Sequence, residues 1–225
     1  MPTVATRPSP PQRARERERE LVRVTRALFD ERGMQDAPVE EIARAAGIAR
    51  GLIYRSFSSK EELFVLAVTD YLAELDTAIA AATAGESDPV LRLERLTEAY
   101  ARYCLRYPAF LDACISLMHR PASDLSEIVS ESIWLRLGQG MARCLEHSAA
   151  ALRAGTEAGV WSVEDPDYTA NVLWTQGLGL MHLARIGVGV RSLAPGIPAL
   201  FSVAPERIVR TCIESALANV GAPRS

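Results

Sequence analysis

The stretch "GIARGLIYRSFSSK", Gly47 to Lys60, gathers two arginines, a tyrosine and the chain's only lysine around Ile48, Ile53 and Phe57. Just upstream, Val39, Ile42, Ala43 and Ala46 recur at i, i+3, i+4 and i+7, the period of an amphipathic helix. Pro38 suits the first position of that helix and Gly47 closes it. A second short helix fits Arg50 to Phe57, with Ile48, Ile53 and Phe57 turned inward. Two short helices joined by a glycine-containing turn make a helix-turn-helix, whose second helix enters the DNA major groove.

The outward residues each have a use against DNA. Arg50 and Arg55 can neutralise phosphates or bind guanine bidentately, while Leu52 and Ser56 can touch a thymine methyl or a base edge. Gly51 allows close backbone approach, and Tyr54 can donate its hydroxyl to a phosphate. Lys60 adds a cation beside helix-start amides that already favour an anion.

On either side, the pattern remains helical. "RARERERE" (Arg13 to Glu20) opens a helix whose apolar stripe, Leu21, Val24, Leu28 and Phe29, stops at Gly33. Ser59 with Glu62 three residues on is a capping box, and Leu63, Leu66, Ala67, Leu75 and Ile79 carry that helix to about Ala84. Glycine and proline punctuation then cuts the chain into helical segments near 89–107, 109–119, 123–158, 166–187 and 205–220. No alternating strand and no Asn-Gly or Asp-Gly turn is evident, so "GVGVRSLAPGIPALFSVAP" (187–205) reads as the longest irregular connection. The fold class is therefore all-α. Residues 1–11, with four prolines, read as a disordered tail, 12–60 as the helix-turn-helix domain and 61–225 as a larger helical bundle.

Charge divides the chain in the same way. Residues 1–60 carry 12 basic and 8 acidic side chains, the remainder 13 and 20. A basic head on an acidic body confines the expected nucleic-acid partner to the head. No apolar run approaches the ~20 residues a membrane helix needs, and the N-terminus has no signal-peptide core, so a cytoplasmic, membrane-free protein is expected. Cys104, Cys114, Cys144, Cys212 and the three histidines lie too far apart for a local metal or disulfide framework, so no metal or cofactor is expected. There is no G-x-S-x-G, H-E-x-x-H or Walker A pattern, and the GxG at Gly138 lacks Rossmann context, so no catalytic residue is assigned and an enzyme is not expected.

"DAPVEEIARAAGIARGLIYRSFSSKEELF" (Asp36 to Phe64) closely resembles the DNA-binding signature of the TetR/AcrR family of bacterial transcriptional regulators. The matches fall at Val39, Ile42, Ala43, Ala46, Gly47, Gly51, Ile53, Tyr54, Phe57, Ser59, Lys60, Glu61 and Leu63. Ala37, Pro38 and Ala49 depart from it, standing where hydroxyl residues are common, so side-chain caps are missing at both helix starts. Leu52 also departs, which suggests an altered base preference with some apolar readout.

The resemblance implies a three-helix DNA-binding domain followed by a helical ligand-binding and dimerisation domain. It further implies a homodimer on a palindromic operator, repression, and release by a small-molecule effector. "DPDYTANVLWTQGLGLMHLARIG" and "PERIVRTCIESALANV" look like the last two helices of such proteins, which pair with their copies. Tyr103, Tyr107, Phe110, Cys114, Met118, Trp134, Met141, Trp161 and Trp174 supply the apolar surface from which a pocket could be drawn. Met181 belongs to the same set, and His182 is expected as a satisfied core histidine. A regulator governed by a protein partner or by its own abundance is the alternative.

Overall fold

The computed structural model describes residues 9–32, 38–119 and 127–222. Its elements run α1 (Pro10–Arg32), α2 (Val39–Ala45), α3 (Arg50–Tyr54), α4 (Lys60–Thr83), α5 (Pro89–Arg106), α6 (Pro108–Met118), α7 (Glu131–Glu157), α8 (Pro166–Ile186), β1 (Val188–Ala194), β2 (Ile197–Ser202) and α9 (Pro205–Asn219). The described residues form two compact units: one holds those up to Asp70 together with 127–137, the other Tyr71–His119 and those from Gly138 onward. Helices α4 and α7 contribute residues to both.

In the first unit, α1 buries Leu21, Val22, Val24, Leu28 and Phe29. It starts at Pro10, two residues before the expected domain start, because proline is tolerated in a first helical turn where its missing N–H has no partner to lose. The expected tail lies mostly outside the described residues, as does Gly33. Val39, Ile42, Ile53 and Phe57 are buried and Ala46 and Ile48 half-buried, so α2 and α3 lock through the apolar set read from the sequence. Gly47 makes the turn with φ +65°, a left-handed conformation that costs glycine nothing, and Ile48 N–H donates to the Ala43 carbonyl at 3.0 Å. α3 is shorter than expected. It stops at Tyr54, and Ser56 Oγ bonds back to the Leu52 carbonyl at 3.1 Å.

The capping box at α4 forms in part. Ser59 Oγ accepts the Glu62 N–H at 3.1 Å, but the Glu62 carboxylate reaches past the cap residue to the N–H of Ser58 and the N–H of Ser130, each at 2.8 Å. Here the sequence expectation needs correcting, since one helix was anticipated over 123–158. Residues 120–126 are outside the described set, and the chain breaks helix at Val129 and Ser130 before α7 begins at Glu131. The Ser130 carbonyl accepts from Ile133 and Trp134, which makes it the start of α7, while its N–H is drawn to Glu62.

The second unit is a helical bundle with a small antiparallel sheet. Asp88 caps α5 by accepting from Val90 and Leu91 N–H, and Asp165 caps α8 by accepting from Tyr168 N–H, each ahead of a proline in the first turn. Tyr71, Tyr103, Tyr107 and Phe110 pack ring against ring at centroid distances of 4.8–5.9 Å, and Tyr103 Oη donates to the Tyr71 carbonyl. Trp161 lies against Gly155, where a Cβ would meet the indole ring at 2.0 Å, and its Nε1–H donates to the Leu152 carbonyl.

The region expected to be an irregular connection is a β-hairpin instead. Val188–Ala194 pairs with Ile197–Ser202, with a bulge at Leu193, and Pro195-Gly196 turns the chain with Gly196 at φ +77°. Proline followed by a positive-φ glycine is the type II turn pattern. That pair lies outside the Asn-Gly and Asp-Gly turn signals, and the prolines masked the β-branched run.

Burial pushes the Glu62 pKa up, but the hydrogen bonds from Ser130 and Ser58 outweigh it and hold the carboxyl below its ordinary value of 4.5. A depressed carboxylate stabilises the fold above that value and loses its contribution as pH falls through the lower, folded-state one. Glu62→Gln, which replaces an acceptor with a donor facing an N–H, is expected to cost about 1–3 kcal/mol in urea denaturation at pH 7. The difference from wild type should shrink as the pH is lowered below 4.5.

Candidate nucleic-acid interface and interior cavity

Helix α3 is fixed by one fully buried side chain, Ile53, so its remaining residues are left facing outward. Gly51, Tyr54, Arg55, Ser56 and Lys60 are exposed, and Leu52 is half-exposed. Neither Pro38 before α2 nor Ala49 before α3 makes a side-chain cap, so the first amides of both helices keep their donors for another acceptor.

Arg50 is held in place before any partner arrives. Its Nη1 pairs with Glu40 Oε1 of α2 at 2.6 Å, and its guanidinium lies 5.6 Å from the Tyr54 ring centroid. Both groups are more than half exposed, so the pair contributes little stability in water but presets the side chain's direction. Arg55 and Lys60 have no ionic partner among the described residues. The arrangement offers two uncommitted cations and one pre-aimed arginine beside an aromatic hydroxyl, which suits a phosphate-lined surface.

In the second unit a cavity of about 70 Å³ lies among α4, α5, α7, α8 and α9. Leu72, Leu75, Ile79, Leu96, Leu145 and Leu173 give it an apolar lining, and Thr97 and Ser148 contribute hydroxyls. Cys144 and Cys212 also line it. Burial pushes their thiols up to about 12 and about 11, so both are neutral at pH 7 and serve as apolar surface.

The aromatic residues singled out in the sequence are mostly elsewhere. Met141 and Trp174 line the cavity. Tyr103, Tyr107 and Phe110 belong to the ring cluster with Tyr71, Cys114 is buried near Tyr100, and Trp161 packs on Gly155. Met118 is exposed, and Trp134, half-buried, belongs to the first unit. The leucines that do form the lining were invisible as a site, since helix-period aliphatics signal only a buried face. His182, expected in the core, is exposed on α8, and Met181 beside it is buried. Its position on the helix decides this, for it shares a face with Thr175 and Gly179 rather than with Leu178 and Met181.

Tyr100 is the polar anomaly of the cavity wall. Its ring lies over Gly177, whose missing Cβ would stand 3.0 Å from the ring, so that glycine serves a contact within the chain. The hydroxyl is buried without a partner at hydrogen-bonding geometry, near the thiols of Cys104, Cys114 and Cys212. Thiols are weak acceptors, and burial pushes the phenol's pKa well above its ordinary value.

Residues 21–67 match the family described as bacterial regulatory proteins, tetR family. The chain is 29% identical over 146 residues to the HTH-type transcriptional regulator HbdR of Aromatoleum sp. (strain CIB), covering 64% of this chain and 61% of that protein. It is 38% identical over 72 residues to the regulator BetI of Stenotrophomonas maltophilia (strain R551-3), covering 32% and 37%. The matches thus span less than two thirds of these regulators' length. In fold it is similar to RolR solved with resorcinol (TM-score 0.69, 17% identity, 94% of this chain and 91% of that one). It is also similar to the TetR family regulator PfmR from Thermus thermophilus (TM-score 0.60, 21% identity, 91% and 99%).

An unsatisfied buried hydroxyl costs about 1–3 kcal/mol. Tyr100→Phe is therefore expected to leave stability unchanged or raise it by about 1 kcal/mol in thermal denaturation. A clear loss would reveal a bonding partner for the hydroxyl.

Proposed function

From a chain that carries, at residues 21–67, the DNA-binding segment of a tetR-family transcriptional regulator, we infer a bacterial cytoplasmic repressor that binds a palindromic operator as a homodimer. A largely apolar small molecule releases it. The observation that carries the DNA-binding part is the outward set on α3, just after it and at the start of α4, namely Arg50, Gly51, Leu52, Tyr54, Arg55, Ser56 and Lys60, beside a helix fixed from behind by Ile53. Residues 12–60 act as the DNA-binding domain and 61–225 as the effector and dimerisation domain.

In this reading Arg50 exchanges Glu40 for DNA, and Tyr54 and Lys60 grip phosphates. With no hydroxyl caps at the helix starts, affinity leans on these three. A single recognition helix covers only a few base pairs, so specificity requires two half-sites about one DNA turn or a multiple apart, which calls for a second copy. The exposed face of α8, Tyr168, Val172, Thr175, Gly179, His182 and Ile186 at alternating spacings of four and three, supports a seam between copies.

The cavity supports the effector, a compact and uncharged molecule by its lining. RolR is a protein of similar fold solved with resorcinol, a small aromatic diol. Occupation would bias the heads through α4, which carries Lys60 at its first position and the cavity residues Leu72, Leu75 and Ile79 farther on. A coupling of about 1–3 kcal/mol suffices to change operator occupancy. One observation favours a second reading, regulation by a protein partner or by abundance. The free volume of about 70 Å³ is below the ~150 Å³ of an apolar cavity that admits benzene, so any ring-sized effector must displace side chains.

The deciding measurement is binding to DNA from upstream of the protein's own gene across a salt series. Lys60→Ala should weaken binding evenly across sequences and lower the salt slope by about 1, whereas Arg50→Ala at a base-reading position should cost about 1–3 kcal/mol and relax sequence preference. Tyr54→Phe should weaken binding without altering preference. If all three variants bind every DNA as wild type does, the interface lies elsewhere.

A further inference from the structure

The β1–β2 hairpin presents the most exposed apolar surface among the described residues. Val190, Leu193 and Leu200 are 68–70% exposed and Ile197 is 55% exposed. Cross-strand partners lie on a common face, so the register Val188↔Ser202, Val190↔Leu200 and Ser192↔Pro198 puts Val188, Val190, Pro198 and Leu200 together. The opposite face is better served, since Phe201 folds its ring over Gly189, where a Cβ would stand 2.4 Å from it. Arg191 is the only charged residue from Val188 to Ser202.

An isolated two-stranded hairpin is at best marginally stable in water, and a sheet with both edges open and one apolar face bare invites a partner. The near-absence of charge argues against nucleic acid or an ionic peptide as that partner. Continuity supplies the positive argument. The hairpin springs from Gly187, one residue after Ile186 ends the exposed uncharged row on α8, and the Val203 N–H closes its base on the Gly187 carbonyl at 2.9 Å.

We propose that the hairpin is a dimerisation arm that lays its Val188, Val190, Pro198 and Leu200 face on a second copy of this chain, extending the α8 seam. The inference rests on the dimer of the proposed function. Area points the same way. Helices of 21 and 15 residues, at about 1.5 Å rise and about 10 Å width, present a face of roughly 500 Å². Stable interfaces take about 800 Å² from each partner. One hairpin face, about 24 Å by 10 Å from strand rise and spacing, adds roughly 240 Å². In a two-fold dimer each arm meets the same surface of the other copy, so the contact closes on itself and does not propagate.

The test is sedimentation equilibrium of the full chain with two variants. Val190→Asp/Leu200→Asp charges the hairpin face, and Val172→Arg charges the α8 seam. Both sites are exposed, so circular dichroism should show an unchanged fold. The expected result is a wild-type dimer, a dissociation constant raised at least about tenfold by the hairpin variant, and a monomeric seam variant. A dimer whose dissociation constant ignores the hairpin variant overturns the arm and leaves the seam standing. A wild type that is monomeric at micromolar concentration overturns both. As a check that needs no destabilised interface, a benzophenone photo-crosslinker placed at Leu200 should yield a species of twice the chain mass. Its absence overturns the arm.

Discussion

A single buried carboxylate organises the first unit. Glu62 takes N–H donors from Ser58, which follows α3, and from Ser130, which precedes α7, while its own N–H is held by Ser59. One carboxylate therefore joins two backbone segments, the turn just before its own helix and a stretch 68 residues later. A carboxylate suits this position because two oxygens can accept from two directions without offering a competing donor. The residues proposed to face DNA sit on the segments so joined: Arg50 to Ser56 come just before Ser58, and Lys60 comes two residues before Glu62. The geometry of that surface thus depends on a buried carboxylate that is not part of it.

The parts legible in the sequence share one property: their signals are local. Val39, Ile42, Ile53 and Phe57 repeat at helical spacing, Gly47 marks a turn that only a positive φ completes, and Ser59 with Glu62 announces a helix start. Each can be read within a window of a few residues. What was not legible came from long-range partners. Ser130 breaks the expected helix because Glu62, 68 residues earlier, claims its N–H. The hairpin follows from Pro195-Gly196, a turn whose strands carry prolines and glycines that weaken the strand pattern, and whose apolar residues do not alternate into a core.

The cavity was the least legible feature, for a physical reason. Aromatic and sulfur-bearing side chains were the natural candidates for a pocket, yet Tyr103, Tyr107 and Phe110 satisfy one another by packing and leave no space. Free volume arises instead where leucines from several helices fail to meet, and nothing in a leucine's spacing records such a failure. Tyr100 shows the same logic inverted. Its ring is well packed over Gly177, but its hydroxyl has been carried into a neighbourhood of thiols, a mismatch seen only when α5, α8 and α9 are brought together.

The placement of Lys60 has a chemical corollary. It is the chain's only lysine and it is exposed at the first position of α4, so the protein displays a single ε-amine. Reagents that acylate amines therefore address the N-terminus and this one point on the head. Acylation there turns the ammonium into a neutral amide, so protection of that amine against a reagent is a footprint with one internal site.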